Sequence, residues 1–122
     1  MKTIQLDKAP FWMFTVVVCR DGFSFECQAS SKHRCEPQQQ GKADYEELEV
    51  QCPSEAVEAL LEYADDPYNP TRTAYGYVPV DLLQTVIDDH GGLDRDASVK
   101  EGLERASAFF KSLGIELSPS LH

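Results

Sequence analysis

The period of the apolar residues changes once along this chain, at Pro53. Before Pro53 the apolar side chains run together or alternate with polar ones, which is typical of strands. After Pro53 they recur every three or four residues, which is typical of helices. Strands followed by helices, without alternation of the two, predict an α+β domain. We therefore expect residues 1–122 to form a single domain with an antiparallel sheet of three to four strands and three helices packed on one face.

The strand predictions follow from that first period. Phe11 to Cys19 (FWMFTVVVC) is apolar at nearly every position, as expected of a central strand covered on both faces. Asp21-Gly22 then supplies the turn of a hairpin. Period two returns after it, and a short N-terminal strand extends the sheet. The predicted strands occupy residues 3–6, 11–19, 23–30 and 45–52.

Three helices are predicted after Pro53, over residues 54–65, 79–90 and 98–113. The second ends at Gly91-Gly92, and the third opens with Ser98 and Glu101, which match a capping box. Each helix has an apolar stripe that we expect to face the sheet. The stripe of the third helix consists of Val99, Leu103, Ala106, Phe110 and Leu113.

The charge is unevenly distributed. The chain has a formal net charge of −10, while residues 1–42 carry six bases and four acids, or +2, so the remainder carries −12. The stretch from Ala43 to Thr71 holds nine acids and no Lys or Arg. Such an excess argues against direct binding of nucleic acid or anionic membrane, because phosphate binding needs basic side chains. It favours a protein partner with a basic surface.

We expect these carboxylates to form one continuous patch. Glu47 and Glu49 are two residues apart on a predicted strand and so share a face. Glu55, Glu58 and Glu62 follow one line of the predicted helix. Together they have the charge and spacing of a nucleic-acid backbone, although a Glu-rich helix face also serves solubility alone. The predicted partner-binding residues in this stretch are Asp44, Glu46, Glu47, Glu49, Glu55, Glu58, Glu62, Asp65 and Asp66.

A second candidate surface is the Tyr/Pro loop, residues 65–78. Tyr68, Tyr75 and Tyr77 are rigid amphipathic side chains of the kind that binding surfaces favour. The alternative is that these tyrosines lie over the helical layer as part of the core.

Three groups of side chains have residue types that support chemistry. Cys35 and His33 are the nearest approach to a nucleophile and base, and His90 falls at the end of the second predicted helix. A zinc site from Cys27, His33, Cys35 and Cys52 is the corresponding metal hypothesis, but the chain has no C-x-x-C spacing. We predict no catalytic residue, no metal and no cofactor.

The compartment is predicted from two features. The apolar run from Phe11 to Cys19 is too short to span a bilayer and poor as a signal-peptide core. A cytoplasmic protein keeps its four cysteines as thiols. The oligomeric state is left open by the sequence.

The function expected from these features is that of a small acidic, non-enzymatic binding protein. The leading hypothesis is a stoichiometric inhibitor that mimics nucleic acid and engages a basic groove, as the anti-CRISPR and antirestriction proteins of mobile elements do; the comparison concerns surface chemistry only. One alternative is an immunity or adaptor protein that binds through the Tyr/Pro loop. Another is a small enzyme centred on His90 or Cys35.

Overall fold

The computed structural model describes residues 9–39 and 44–114. Four strands form one antiparallel sheet in chain order: β1 (Val16–Val18), β2 (Ser24–Gln28), β3 (Glu47–Gln51) and β4 (Ala74–Pro79). Two α-helices follow, α1 (Val80–Asp89) and α2 (Arg95–Ser112). The antiparallel α+β architecture is thus confirmed. The strand predicted at 3–6 lies outside the described residues.

The register of the sheet separates an apolar face from a polar one. Val17 pairs with Phe25, and Val50 stands between Cys27 and Tyr75, so these residues share one face. That face forms the core together with Leu48, Leu60, Val78, Leu83, Val86 and Ile87. The predicted hairpin is present at Gly22, whose φ of 95° a residue with a side chain rarely adopts.

The strand predicted over 11–19 is shorter than expected. Phe11–Met13 is a turn of 3-10 helix entered from Pro10, and only Val16–Val18 forms a strand. An uninterrupted apolar run has no period of its own, so it does not distinguish a strand from a helical turn.

The prediction of an α-helix over residues 54–65 is wrong. The structure has a six-residue 3-10 segment, Glu58–Tyr63, in its place. Val57, Leu60 and Tyr63 pack on the core at every third position, which matches the three residues per turn of a 3-10 helix.

Strand β4 was not predicted, because it lies in what was interpreted as the Tyr/Pro loop. Its pairing with β3 is irregular: Leu48 pairs with Val78 and Val50 with Tyr75, so Gly76 and Tyr77 both stand opposite Glu49. This is a β-bulge, and it breaks the alternation by which a strand is recognised.

Helix α1 lies within the predicted range of 79–90, but α2 begins earlier than predicted. Its cap is Asp94, whose side chain accepts a hydrogen bond from the Ala97 N–H at 3.0 Å. Ser98, the predicted cap, is buried inside the helix. Its Oγ accepts the Val18 N–H at 2.8 Å, so α2 lies along the free edge of β1.

The helical layer is only partly formed. α1 buries Leu83, Val86 and Ile87 in the core, whereas Leu103 is 67% exposed and Leu113 is 59% exposed on α2. The apolar stripe of the third predicted helix therefore does not face the sheet. Within residues 9–39 and 44–114, no helix is long and apolar enough to cross a bilayer.

Candidate functional site

The continuous acidic patch expected from the sequence is not formed. Glu47 and Glu49 do share the polar face of the sheet, but Glu49 is only 8% exposed and Glu47 is half-buried. A carboxylate so covered by its neighbours presents little charge to an approaching partner.

Arg34 pairs with two of the predicted acids, so the three side chains together keep one negative charge. Glu49 Oε1 accepts hydrogen bonds from the Arg34 backbone N–H at 3.0 Å and from its Nε at 3.3 Å. Asp65 accepts from Nη1 at 2.6 Å and from Nη2 at 2.9 Å, a bidentate pair. We call this group the Arg34 clamp. Glu49 and Asp65 are therefore internal partners of Arg34, and their charge is partly compensated within the fold.

The pKa values of the clamp follow from these contacts. Burial raises the pKa of Glu49, but hydrogen bonds from Arg34 and Gln51 outweigh it and hold the pKa below its ordinary value. The bidentate bond from Arg34 lowers the pKa of Asp65. Both carboxylates are ionised near neutral pH.

The β4 bulge at Gly76 and Tyr77 positions Arg34 in the clamp. The Tyr77 N–H donates to the Arg34 carbonyl at 2.9 Å, and Tyr77 takes a φ of 52° to do so. Gly76 lies under the guanidinium, where a Cβ would be 2.9 Å from Nη1. Only a residue without a side chain lets Arg34 lie flat against β4 at this point.

Glu55, Glu58 and Glu62 do not form a row. Glu58 and Glu62 lie on a 3-10 segment, where residues four apart point in different directions. Glu55 lies outside that segment, with its Oε1 3.8 Å from His90 Nε2. All three are exposed, but the continuous line predicted from a helical period is absent.

The structure shows a different row of acids, on the outward side of α1. Asp81, Asp88 and Asp89 are exposed there, opposite the buried Leu83 and Ile87. Among the described residues, none of these three aspartates has a Lys or Arg within ion-pair distance. The Val80 N–H donates to the Glu46 carbonyl at 2.9 Å, which brings Glu46 to the start of this row.

The row ends at His90, the C-cap of α1. His90 Nδ1 is 2.6 Å from Asp21 Oδ2, and its ring stacks on Phe23 with centroids 4.1 Å apart. The Phe23 N–H, and then His90, lower the pKa of Asp21. Glu55 approaches the other ring nitrogen. We define the acidic face as Asp21, Glu46, Glu55, Asp81, Asp88 and Asp89.

Two further predicted residues, Asp44 and Asp66, are also exposed. Asp44 is exposed at the start of the second described range. Asp66 is exposed too, but its side chain accepts hydrogen bonds from the Tyr68 N–H at 3.1 Å and from Asn69 Nδ2 at 2.8 Å. Asp66 thus stabilises a turn, and both of its carboxylate oxygens accept hydrogen bonds within that turn.

The three tyrosines of the Tyr/Pro loop have separate positions. Tyr68 is 92% exposed at the tip of the turn, and Tyr77 is 41% exposed at the bulge. Tyr75 is fully buried, and its hydroxyl donates to the Pro70 carbonyl at 2.6 Å. Burial raises its pKa. Tyr75 is therefore a core residue, and its assignment to a binding surface is wrong.

The candidate nucleophile has no base beside it. The Cys35 thiol is buried and donates to the Ser30 and Pro37 carbonyls at 3.3 Å. His33 Nδ1 instead contacts the Ser30 hydroxyl at 2.6 Å. All four cysteines are free thiols, and only Cys52 is exposed. No group of three or more metal-ligating side chains occurs in the described part of the chain.

Two elements of the site were missed by sequence reasoning. Asp81 and Asp88 are seven residues apart on a helix with a predicted inward stripe, and that spacing would have shown that they share the outward side. The Arg34 clamp had no such signal, since it joins residues 15 and 31 positions apart.

Comparison of the chain with protein-family models, with curated proteins and with solved structures finds no match in any of the three.

Proposed function

We propose that this protein is a non-enzymatic binding protein whose acidic face engages a basic surface on a nucleic-acid-handling protein, in the manner of a nucleic-acid mimic acting as an inhibitor. The supporting observation is the unpaired row on α1. Between Lys42 and Arg95 the chain contains a single Lys or Arg, Arg72. Surface helices ordinarily carry both signs of charge, and α1 carries three aspartates without a cation.

The dimensions of the row suit this partner. Asp81 and Asp88 are seven residues apart, or about 10 Å along the helix axis. That length corresponds to about three steps of 3.4 Å along one strand of B-DNA. Gln84 Nε2 donates to Asp88 Oδ1 at 3.1 Å, which fixes the position of one of the two carboxylates before any partner arrives.

The proposal places the protein in the cytoplasm, where such machines act and where its thiols stay reduced. A basic groove that normally holds phosphates would be filled by the acidic face, and nucleic acid would compete with it. Association is then electrostatically steered and weakens as salt rises.

The test uses the full chain, immobilised, as bait for a nuclease-treated lysate of its source cells. A captured protein should be released both by added short duplex DNA and by raised salt. Capture that resists both would contradict nucleic-acid mimicry.

A matched pair of double variants locates the binding surface. Asp81→Lys with Asp88→Lys changes the acidic face, and Asp96→Lys with Glu104→Lys makes the same change on α2. Each double variant adds four charges, so both have −10 + 4 = −6. The first should weaken capture at least about tenfold, or ~1.4 kcal/mol, and the second should not. Equal losses would mean that net charge alone acts.

A second function has one observation in its favour, the rigid presentation of Tyr68. The Asp66 carboxylate accepts from the Tyr68 N–H and from Asn69 Nδ2, and the Arg72 N–H donates to the Asn69 carbonyl at 3.0 Å; these bonds fix the turn that carries the exposed ring. An immunity or adaptor protein would bind through such an aromatic anchor. In that case Tyr68→Ala abolishes capture, while the Asp81/Asp88 double variant retains it at high salt.

A further inference from the structure

The unpartnered stripe of α2 has the spacing of a coiled-coil seam. Its residues Val99, Leu103, Ala106, Phe110 and Leu113 follow one another at intervals of four, three, four and three. That alternation repeats every seven residues and places apolar side chains along the line where two helices meet. At 100° per residue the five positions fall within about 80° of one another.

The described polar contacts between α2 and the sheet run from Ser98 to Arg105. Ser98 Oγ accepts a hydrogen bond from the Val18 N–H. A Cβ added at Gly102 would lie 3.5 Å from Thr15 Oγ1, so the helix passes close to Thr15. Further along, Arg105 Nη1 reaches Glu26 Oε2 at 3.6 Å. The exposure of Leu103 and Leu113 places most of the seam in solvent.

We infer that the α2 seam is the interface of a two-fold dimer of this chain. The charge of α2 favours a second copy of this chain as the partner at the seam. α2 carries four bases and three acids, a net charge of +1, on a chain of net charge −10. Two copies that meet along α2 oppose only one net positive charge each, whereas contact through the acidic face would oppose several negative charges on each side. A basic partner is drawn to the acidic face instead.

The charge along α2 also sets the direction of pairing. Residues 95–104 carry two bases and three acids, or −1, and residues 105–112 carry two bases and no acid, or +2. In an antiparallel pair, residues 95–104 of one copy face residues 105–112 of the other, so the negative half of each helix meets the positive half of its partner. This arrangement also aligns the helix dipoles favourably. The two-fold axis then passes near Ala106, whose small side chain lets the helices approach closely.

The first experiment measures mass by light scattering after gel filtration at micromolar concentration. The wild-type chain should give about 27 kDa, twice its 13.7 kDa. Leu103→Glu should give a monomer, because it buries a charge in the seam. Ala108→Glu is the matched control, since Ala108 lies on the opposite side of α2, and it should remain a dimer.

Several outcomes overturn the inference. A monomeric wild-type chain does so, as does a Leu103→Glu variant that is still dimeric while folded by circular dichroism. A wild-type monomer that dimerises only after Ile115→Ser and Leu117→Ser would assign the seam to the chain's own last residues. Because all these variants leave the acidic face intact, their result is independent of the proposed function.

A second experiment tests the direction of the helices. In a Cys52→Ser background, Ala106→Cys should form an intermolecular disulfide under a mild oxidant. Leu113→Cys should not, because antiparallel pairing separates the two positions by about 21 Å along the axis. Efficient crosslinking through position 113 would indicate parallel helices and overturn the antiparallel arrangement.

Discussion

The two α-helices have the same kind of sequence pattern and different surroundings. Each has an apolar stripe at helical spacing, but Leu83 and Ile87 of α1 are fully buried while Leu103 of α2 is two-thirds exposed. α1 follows β4 without an intervening loop, so its apolar stripe packs against the apolar face of the sheet. α2 is fixed at the edge of β1 and extends past it. The pattern thus shows which side of a helix is apolar, but not which molecule covers it.

The contrast extends to the sheet itself. The face under α1 is held by apolar burial, whereas the other face is held by polar contacts, the Arg34 clamp and the Arg105–Glu26 pair. Burial and polar contacts respond differently to substitution and to pH, which makes the comparison testable.

The largest expected difference is between the two leucines. Leu83→Ala should lower the free energy of unfolding by about 2–5 kcal/mol, since it leaves a cavity in the core. Leu103→Ala should change it by less than about 0.5 kcal/mol when the protein is dilute enough to be monomeric. Urea denaturation followed by circular dichroism measures both. Similar losses would show that α2 is covered by its own chain.

The next effect concerns the attachment of α2. Ser98→Ala should cost about 1–3 kcal/mol, because it leaves the Val18 N–H without its acceptor in a part-buried position. Ser107→Ala, on an exposed part of the same helix, is the control and should be nearly neutral. Equal stability of the two variants would mean that α2 is not anchored through Ser98.

A smaller effect is expected at the Arg34 clamp. Arg34→Met should cost about 1–2 kcal/mol at neutral pH, because Glu49 loses its bond from Nε and Asp65 loses its bidentate pair, in a half-exposed setting where solvent limits their worth. Gly76→Ala displaces the guanidinium and should reproduce part of this loss. A variant as stable as the wild type would show that the clamp contributes nothing.

The same variant has a defined pH dependence. Glu49 and Asp65 have lowered pKa values in the folded state, so the folded state binds fewer protons than the unfolded one. The clamp's contribution is complete above their ordinary values near about 4 and is lost as the pH falls through the lower folded values. The stability difference between wild type and Arg34→Met should therefore shrink below about pH 4.

The smallest perturbation uses the thiols as probes of the two environments. Burial raises the pKa of Cys19 to about 11 and that of Cys27 to about 12, so neither forms a thiolate at neutral pH. Cys52 is exposed. Brief alkylation of the native protein should label Cys52 alone, as read by mass spectrometry. Rapid labelling of Cys27 would show that the core under α1 opens.

The sequence predicted what depends on local pattern. The β1–β2 hairpin, β3 and α1 follow from the period of their apolar residues, and all are present. The missed features depend on contacts between distant residues. The bulge at Gly76 hid β4, and packing at every third residue turned the predicted first helix into a 3-10 segment.

The acidic surface shows the same limit. A count of charges identified the excess of carboxylates, but only the fold shows that Arg34 pairs with Glu49 and Asp65 and that α1 presents Asp81 and Asp88. Charge composition therefore predicted the sign of the protein's own surface, and tertiary structure decides where that charge is exposed.

The position of Ser98 has a consequence for how copies of this chain assemble. At the β1 edge of the sheet, the Ser98 hydroxyl accepts from the outward Val18 N–H, and the Asp94 N–H donates to the Val18 carbonyl. At the β4 edge, Ala64 and Asp65 pair with the strand. A strand from another molecule thus finds both margins of the sheet already hydrogen-bonded at these points. Growth into open fibres by strand addition is therefore disfavoured at these two margins.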